Sequence, residues 1–141
     1  MNEKKKIIVK SKTENLKTVR EFVAEFAREV GFDEKAVTDI TLAVDEAATN
    51  IIKHAYKFDE TQDIIVEVGI DNDEFSVSLT DFGGKFDPEK VHLPDIKESL
   101  KLKKAGGLGI YLMRTLMDKV VYENTSPDYN KITLIKKIER W

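Results

Sequence analysis

Cysteine is absent from the 141 residues. Disulfide frameworks, thiolate zinc sites and cysteine nucleophiles are thereby excluded. Long apolar runs are missing too, and none approaches the roughly 20 residues that cross a bilayer. The start, MNEKKKIIVKS, follows its basic residues with only three apolar ones, too few for the core of a signal peptide. No one sign of charge dominates, since 23 Lys and Arg stand against 26 Asp and Glu for a formal net charge of -3. Such a balance provides no bulk field for nucleic acid or an anionic membrane. The expectation is a soluble cytoplasmic protein with neither as a partner. Glycine is scarce at seven residues, and five of those fall in two clusters, at 83–84 and 106–109.

What is present suffices for one domain over residues 1–141 with a buried core. Ile7 to Val9 form a short β-branched run, expected as an edge strand. Leu16, Val19, Phe22, Val23, Phe26 and Val30 keep helical spacing up to Gly31, which ends the helix. Asp33 then caps a second helix, with Ala36, Val37, Ile40, Val44, Ala47 and Ile51 on one side, running to about Ala55. DIIVEVGID and EFSVSLTDF read as a hairpin through the turn-forming Asp71-Asn72-Asp73. The segment from Gly83 to Gly107 shows little periodicity and reads as a long surface loop. LGIYLMRTLMD is helical, with Ile110, Met113, Leu116 and Met117 inward, and KVVYE and KITLIKKI follow as two strands. The order predicts an α+β fold, a two-layer α/β sandwich with a mixed, mostly antiparallel sheet and helices on one face.

The second helix carries a polar row. Glu46, Asn50 and His54 stand four residues apart, each about 40° further round, along the border of the apolar face. One polar residue at a helix border is ordinarily just half-exposed. Three in line beside the small Ala47 and Ala48 suit the wall of a cleft equally well.

The glycine clusters flank the long loop. In DFGGKFDP, Asp81 ends a strand, and Gly83 and Gly84 allow a flat ligand close to the backbone. An ionised Asp81 accepts a hydrogen bond from an exocyclic amine such as that of adenine. GGLGI precedes a helix, so Gly106, Gly107 and Gly109 leave N–H groups facing an anion at its positive end, with Lys103 and Lys104 beside them. Each cluster alone is an ordinary turn or cap. The P-loop pattern is absent, and GGLGI lacks the preceding strand of a dinucleotide fingerprint.

Taken in order, DEAATNIIKHAY, DFGGKFDP and GGLGIYLMRTLMDKV are similar to the motifs of the anti-sigma factor serine/threonine kinases. These are small cytoplasmic members of the GHKL ATPase superfamily, which also holds gyrase, Hsp90, histidine kinases and MutL. The likeness runs from about Leu16 to Ile138. It implies the Bergerat-type ATP-binding fold, with an ATP lid over about 84–106. It further implies that Glu46 is the catalytic base and that Asn50 binds Mg²⁺. Lys53, His54 and Lys104 fall near the phosphates of ATP, and Asp81 and Gly83 at the adenine. Gly107 and Gly109 form the glycine box, with Gly106 beside them among the ATP-binding residues, and Thr133 supports Asp81 through water. Lys85 departs from the usual pattern, which has glycine there, and leaves the lid geometry open.

The resemblance implies an activity and its partners. The protein would bind MgATP, sequester a sigma factor, and phosphorylate a Ser or Thr of an anti-sigma factor antagonist of the STAS type. Homodimerisation is implied as well. Three alternatives stay open on the residues alone: a stand-alone histidine kinase-type ATPase domain, a non-catalytic ATP-gated binding regulator, and an ATPase working by dimer closure. Within these 141 residues only His54 and His92 are available as phosphoacceptor histidines, and no transducer segment is expected.

Overall fold

The computed structural model describes residues 3–84 and 107–139. Most of the expected loop, with Lys85, Lys103, Lys104 and Gly106, lies outside the described residues.

The first strand is longer than its apolar residues suggest. β1 (Glu3–Lys10) pairs residue for residue with β2 (Asp63–Asp71), from Glu3 opposite Ile70 to Lys10 opposite Asp63. Its lysines are at home on an edge, where they discourage pairing with another chain. α1 (Leu16–Val30) buries Val19, Val23, Ala24, Phe26 and Ala27. Gly31 ends it at φ 111°, and the N–H groups of Gly31 and Phe32 donate back to Arg28 and Ala27 at 3.1 and 3.2 Å. That left-handed closure favours a residue without a Cβ. Asp33 then caps α2 (Glu34–Asn50), accepting from the Ala36 N–H at 2.8 Å.

α2 buries Val37, Ile40, Ala43, Val44, Ala47 and Ala48, as the spacing requires. Its α-type bonding ends with the Ile51 N–H donating to Ala47 O. Ile51–Ala55 forms one wider π turn, closed by the Tyr56 N–H on Ile51 O at 2.9 Å. Lys57 and Phe58 follow with φ of 49° and 65°, a region that non-glycine residues seldom occupy. The Phe58 N–H donates to Ile52 O at 2.8 Å, so the chain is bonded as it turns away. A π turn within a helix often marks a functional site.

β3 (Glu74–Asp81) returns from β2 through Asn72 at φ 58°. α3 (Gly107–Leu116), β4 (Lys119–Glu123) and β5 (Asn130–Lys137) complete the described chain. The sheet order is β1-β2-β3-β5-β4, and every ladder is antiparallel. Phe75 of β3 meets Phe26 of α1 at 5.9 Å between ring centroids and Phe32 edge-on at 5.4 Å. Val66, Val68, Val77, Leu79 and Leu134 are fully buried on the same face. α3 adds Ile110 and Met113, with Met117 just beyond its end, and packs on α2. The result is the two-layer α+β architecture, with the helices on one face. Among the described residues no helix is long and apolar enough to cross a membrane.

Register fixes which residues face the helices. Directly opposed residues of an antiparallel pair share a face, and faces alternate along a strand. Asp81 stands opposite Asn130 on the helix side, while Thr133 stands opposite Ser78 on the other.

Candidate functional site

α2, its π turn, α3 and the helix-side face of the sheet enclose a cleft. Its walls are mostly apolar: Ala47, Ile51, Ala55, Ile110, Met113, Val120, Tyr122 and Ile132. Asn50, His54, Asp81 and Arg114 supply its polar groups. An apolar slot with a few convergent polar groups is the usual form of a small-molecule site.

Asp81 forms the floor and is only 3% exposed. Its Oδ1 accepts from the Gly83 N–H at 2.9 Å and from Asn130 Nδ2 at 2.9 Å. Burying a carboxylate is costly unless such donors meet it. Gly83 backs onto the π turn. A Cβ there would run into the carbonyl oxygen of Ala55, 2.7 Å from its carbon and 2.9 Å from Tyr56 Cδ1. The Gly84 N–H donates to that same carbonyl at 3.0 Å. Close approach, rather than a special φ, demands the first of these glycines.

The third motif meets the first. A Cβ on Gly109 would lie 2.6 Å from Glu46 Oε2 and 3.6 Å from Asn50 Nδ2. The first turn of α3 therefore rests on the two polar residues of α2, both half-buried. The obstacle here is the flexible end of a side chain, so Gly109→Ala should fold normally while displacing the Glu46 carboxylate. A melting temperature within a few degrees of the parent, with slower phosphoryl transfer, is the expected pair of results. A normal transfer rate would show that the Glu46 placement is unimportant.

His54 is half-buried in the cleft wall. Burial first, and then the Lys53 charge, push its pKa below the ordinary value. Lys53 is exposed and does not line the cleft. Gly107 is the first residue of α3.

The structure does not bring Thr133 to Asp81. Thr133 lies three residues along β5 from the partner of Asp81, and odd and even positions of a strand face opposite ways. Asn130 occupies the supporting place instead. Its amide nitrogen also lies 3.3 Å from Gly83 O and 3.2 Å from Gly84 O. In sequence it reads as the last residue of a turn, which hid this role. Tyr56 was equally hidden: its hydroxyl accepts from the Phe82 N–H at 2.8 Å and donates to Asp63 O, tying the helix end to both hairpin strands. Arg114 joins the cleft wall from the exposed side of α3.

ATP fits the residues present. A buried acceptor lies in an apolar slot, and the N-terminus of α3 stands at Glu46 and Asn50. Among the described residues no three His, Cys, Asp or Glu side chains gather to hold a metal ion. Asn50 fits Mg²⁺ only as a single ligand completed by phosphate oxygens and water.

The model of the histidine kinase-like ATPase domain matches residues 9–136. Serine-protein kinase RsbW of Listeria monocytogenes is 36% identical over 124 residues, 85% of this chain and 79% of that protein. Two solved structures share the fold. The RsbU and RsbW domains of Rv1364c from Mycobacterium tuberculosis superpose with a TM-score of 0.70 at 19% identity, over 98% of this chain and 33% of that longer one. The SiaB–SiaC complex from Pseudomonas aeruginosa gives 0.71 at 12% identity, over 93% of this chain and 88% of the other. The chain belongs to the histidine kinase-like (GHKL) ATPases and, within them, to the RsbW-like family of anti-sigma factor kinases.

Proposed function

We propose that the protein is a serine/threonine protein kinase that uses MgATP to phosphorylate an anti-sigma factor antagonist. The observation that carries this reading is that Asn50 lines one cleft with Asp81 and, together with Glu46, lies against Gly109 at the first turn of α3. The apolar slot would hold adenine with Asp81 accepting from its amino group, and Asn50 would hold Mg²⁺ at the phosphates. Backbone N–H groups of the glycine box face the developing charge. The acceptor hydroxyl oxygen bonds to the γ-phosphorus as the bond to the bridging β–γ oxygen breaks, leaving ADP. Glu46 receives the hydroxyl proton.

Membership of the family supports a reading of the partners as well. As a homodimer, the protein holds a sigma factor until an unphosphorylated STAS-type antagonist competes it away. Phosphate added at that interface separates the antagonist again by repulsion and desolvation.

Glu46→Ala tests the chemistry apart from binding. The expected result is a transfer rate lower by about 10²–10⁴-fold, the usual contribution of a general base, with ATP affinity retained. Undiminished transfer would remove Glu46 from the mechanism. Absence of transfer in the parent protein, with ATP binding intact, would favour an ATP-gated binding regulator, for which a base is unnecessary.

A further inference from the structure

We propose that Arg114 is a phosphate-binding residue of the cleft, its guanidinium pairing with phosphate oxygens of the bound nucleotide. The inference rests on the ATP-binding reading above and adds to the glycine box a side chain from the last turn of α3.

Charge is the first argument. A triphosphate enters a cleft whose walls are mostly apolar, and moving anionic groups out of water is costly unless opposite charge meets them. Among the described residues, the basic side chains that line the cleft are His54 and Arg114. Burial and then the Lys53 charge lower the pKa of His54, which weakens it as a source of positive charge. Lys53 itself is exposed and does not line the cleft. Arginine keeps its charge at any working pH, and its planar fork matches phosphate oxygens two at a time.

Position is the second. A basic residue in the last turn of a helix complements the helix dipole wherever its side chain lies, and that role requires no cleft. Arg114 nevertheless shares the cleft wall with Met113 and with Ile110, one turn earlier. Long side chains on a helix lean back toward its N-terminus and cover the turn before their own Cα. For Arg114 that turn begins at Ile110, next to Gly109, where α3 meets Glu46 and Asn50. The lean carries the guanidinium along the cleft toward Asn50, the end assigned to Mg²⁺ and the phosphates. Arg114 is exposed, which suits an arginine whose stem follows an apolar wall while its head stays at the mouth.

The test is calorimetric titration of the full chain with MgATP and with adenosine, which has the base and sugar but no phosphate. In Arg114→Ala the affinity for MgATP should fall at least about tenfold, the scale of one hydrogen bond to a charged group. Affinity for adenosine should keep its parental value. Alanine favours helix at this exposed position, so the variant should fold. Arg114→Lys keeps the charge without the fork and should recover part of the loss. Added salt should weaken MgATP binding less steeply in Arg114→Ala than in the parent, because one charge pair is gone. Equal losses for MgATP and adenosine would make Arg114 a wall of the cleft only and overturn the proposal. Unchanged MgATP affinity, or an unchanged salt dependence, would overturn it as well. A parent that does not bind MgATP would instead refute the ATP-binding reading, and this inference with it.

Discussion

Asn50→Ala lowers phosphoryl transfer by at least about 100-fold, the scale of losing one electrostatic stabiliser of the transition state. Asn50 is the last residue of α2, half-buried, with its amide at the first turn of α3. Alanine is the best helix former, and truncating a half-exposed side chain costs little stability. Melting should therefore be nearly unchanged while transfer is lost. Affinity for MgATP should fall toward that for ATP without the metal, because Asn50 is the one protein ligand assigned to Mg²⁺. Labelled-ATP transfer and a Mg²⁺ titration check both. A variant that transfers phosphate normally would show that the metal lies elsewhere.

Gly83→Ala damages the fold and the site together. The added methyl would meet the carbonyl of Ala55, which is backbone held by the Gly84 N–H, and the Tyr56 ring. Neither yields as a flexible side-chain end does, so the strand end must move. Overpacking of this kind costs about 1–3 kcal/mol. Movement at residue 83 also draws its N–H away from Asp81 Oδ1, so ATP affinity should fall with stability. Denaturant unfolding and nucleotide titration of the same preparation measure the two losses. A protein as stable as the parent would mean that the approach to the π turn is looser than 2.7 Å implies.

Much of this architecture was legible in the chain. The helical spacing of Leu16 to Val30, the Gly31 stop and the Asp33 cap are local signals, and each reappears in the structure. The hairpin through Asn72 is equally local. β1 was only partly visible because lysines at an edge break the apolar alternation that marks a strand. The π turn at Ile51–Ala55 was invisible, since IIKHA is compatible with an ordinary helix. What accompanies the widening is tertiary: Gly83 packs against Ala55, and the Tyr56 hydroxyl is tied to two strands.

The site divides along the same line. Glu46, Asn50 and His54 could be placed on one face by periodicity, and the structure sets them beside Gly109 or in the cleft wall. Asp81 and Asn130 lie 49 positions apart, and their pairing depends on the β3–β5 register, which no local pattern specifies. Placing Thr133 beside Asp81 failed for the same reason: a wrong register parity puts a side chain on the wrong face.

The most direct test of the central claim uses the tagged full chain in cell lysate with γ-labelled ATP and Mg²⁺, followed by identification of the labelled protein. Acid-stable label on a small co-purifying protein, absent with Glu46→Ala, is the predicted result and establishes serine/threonine transfer. Acid-labile label, or no label from a preparation that binds ATP, would contradict it.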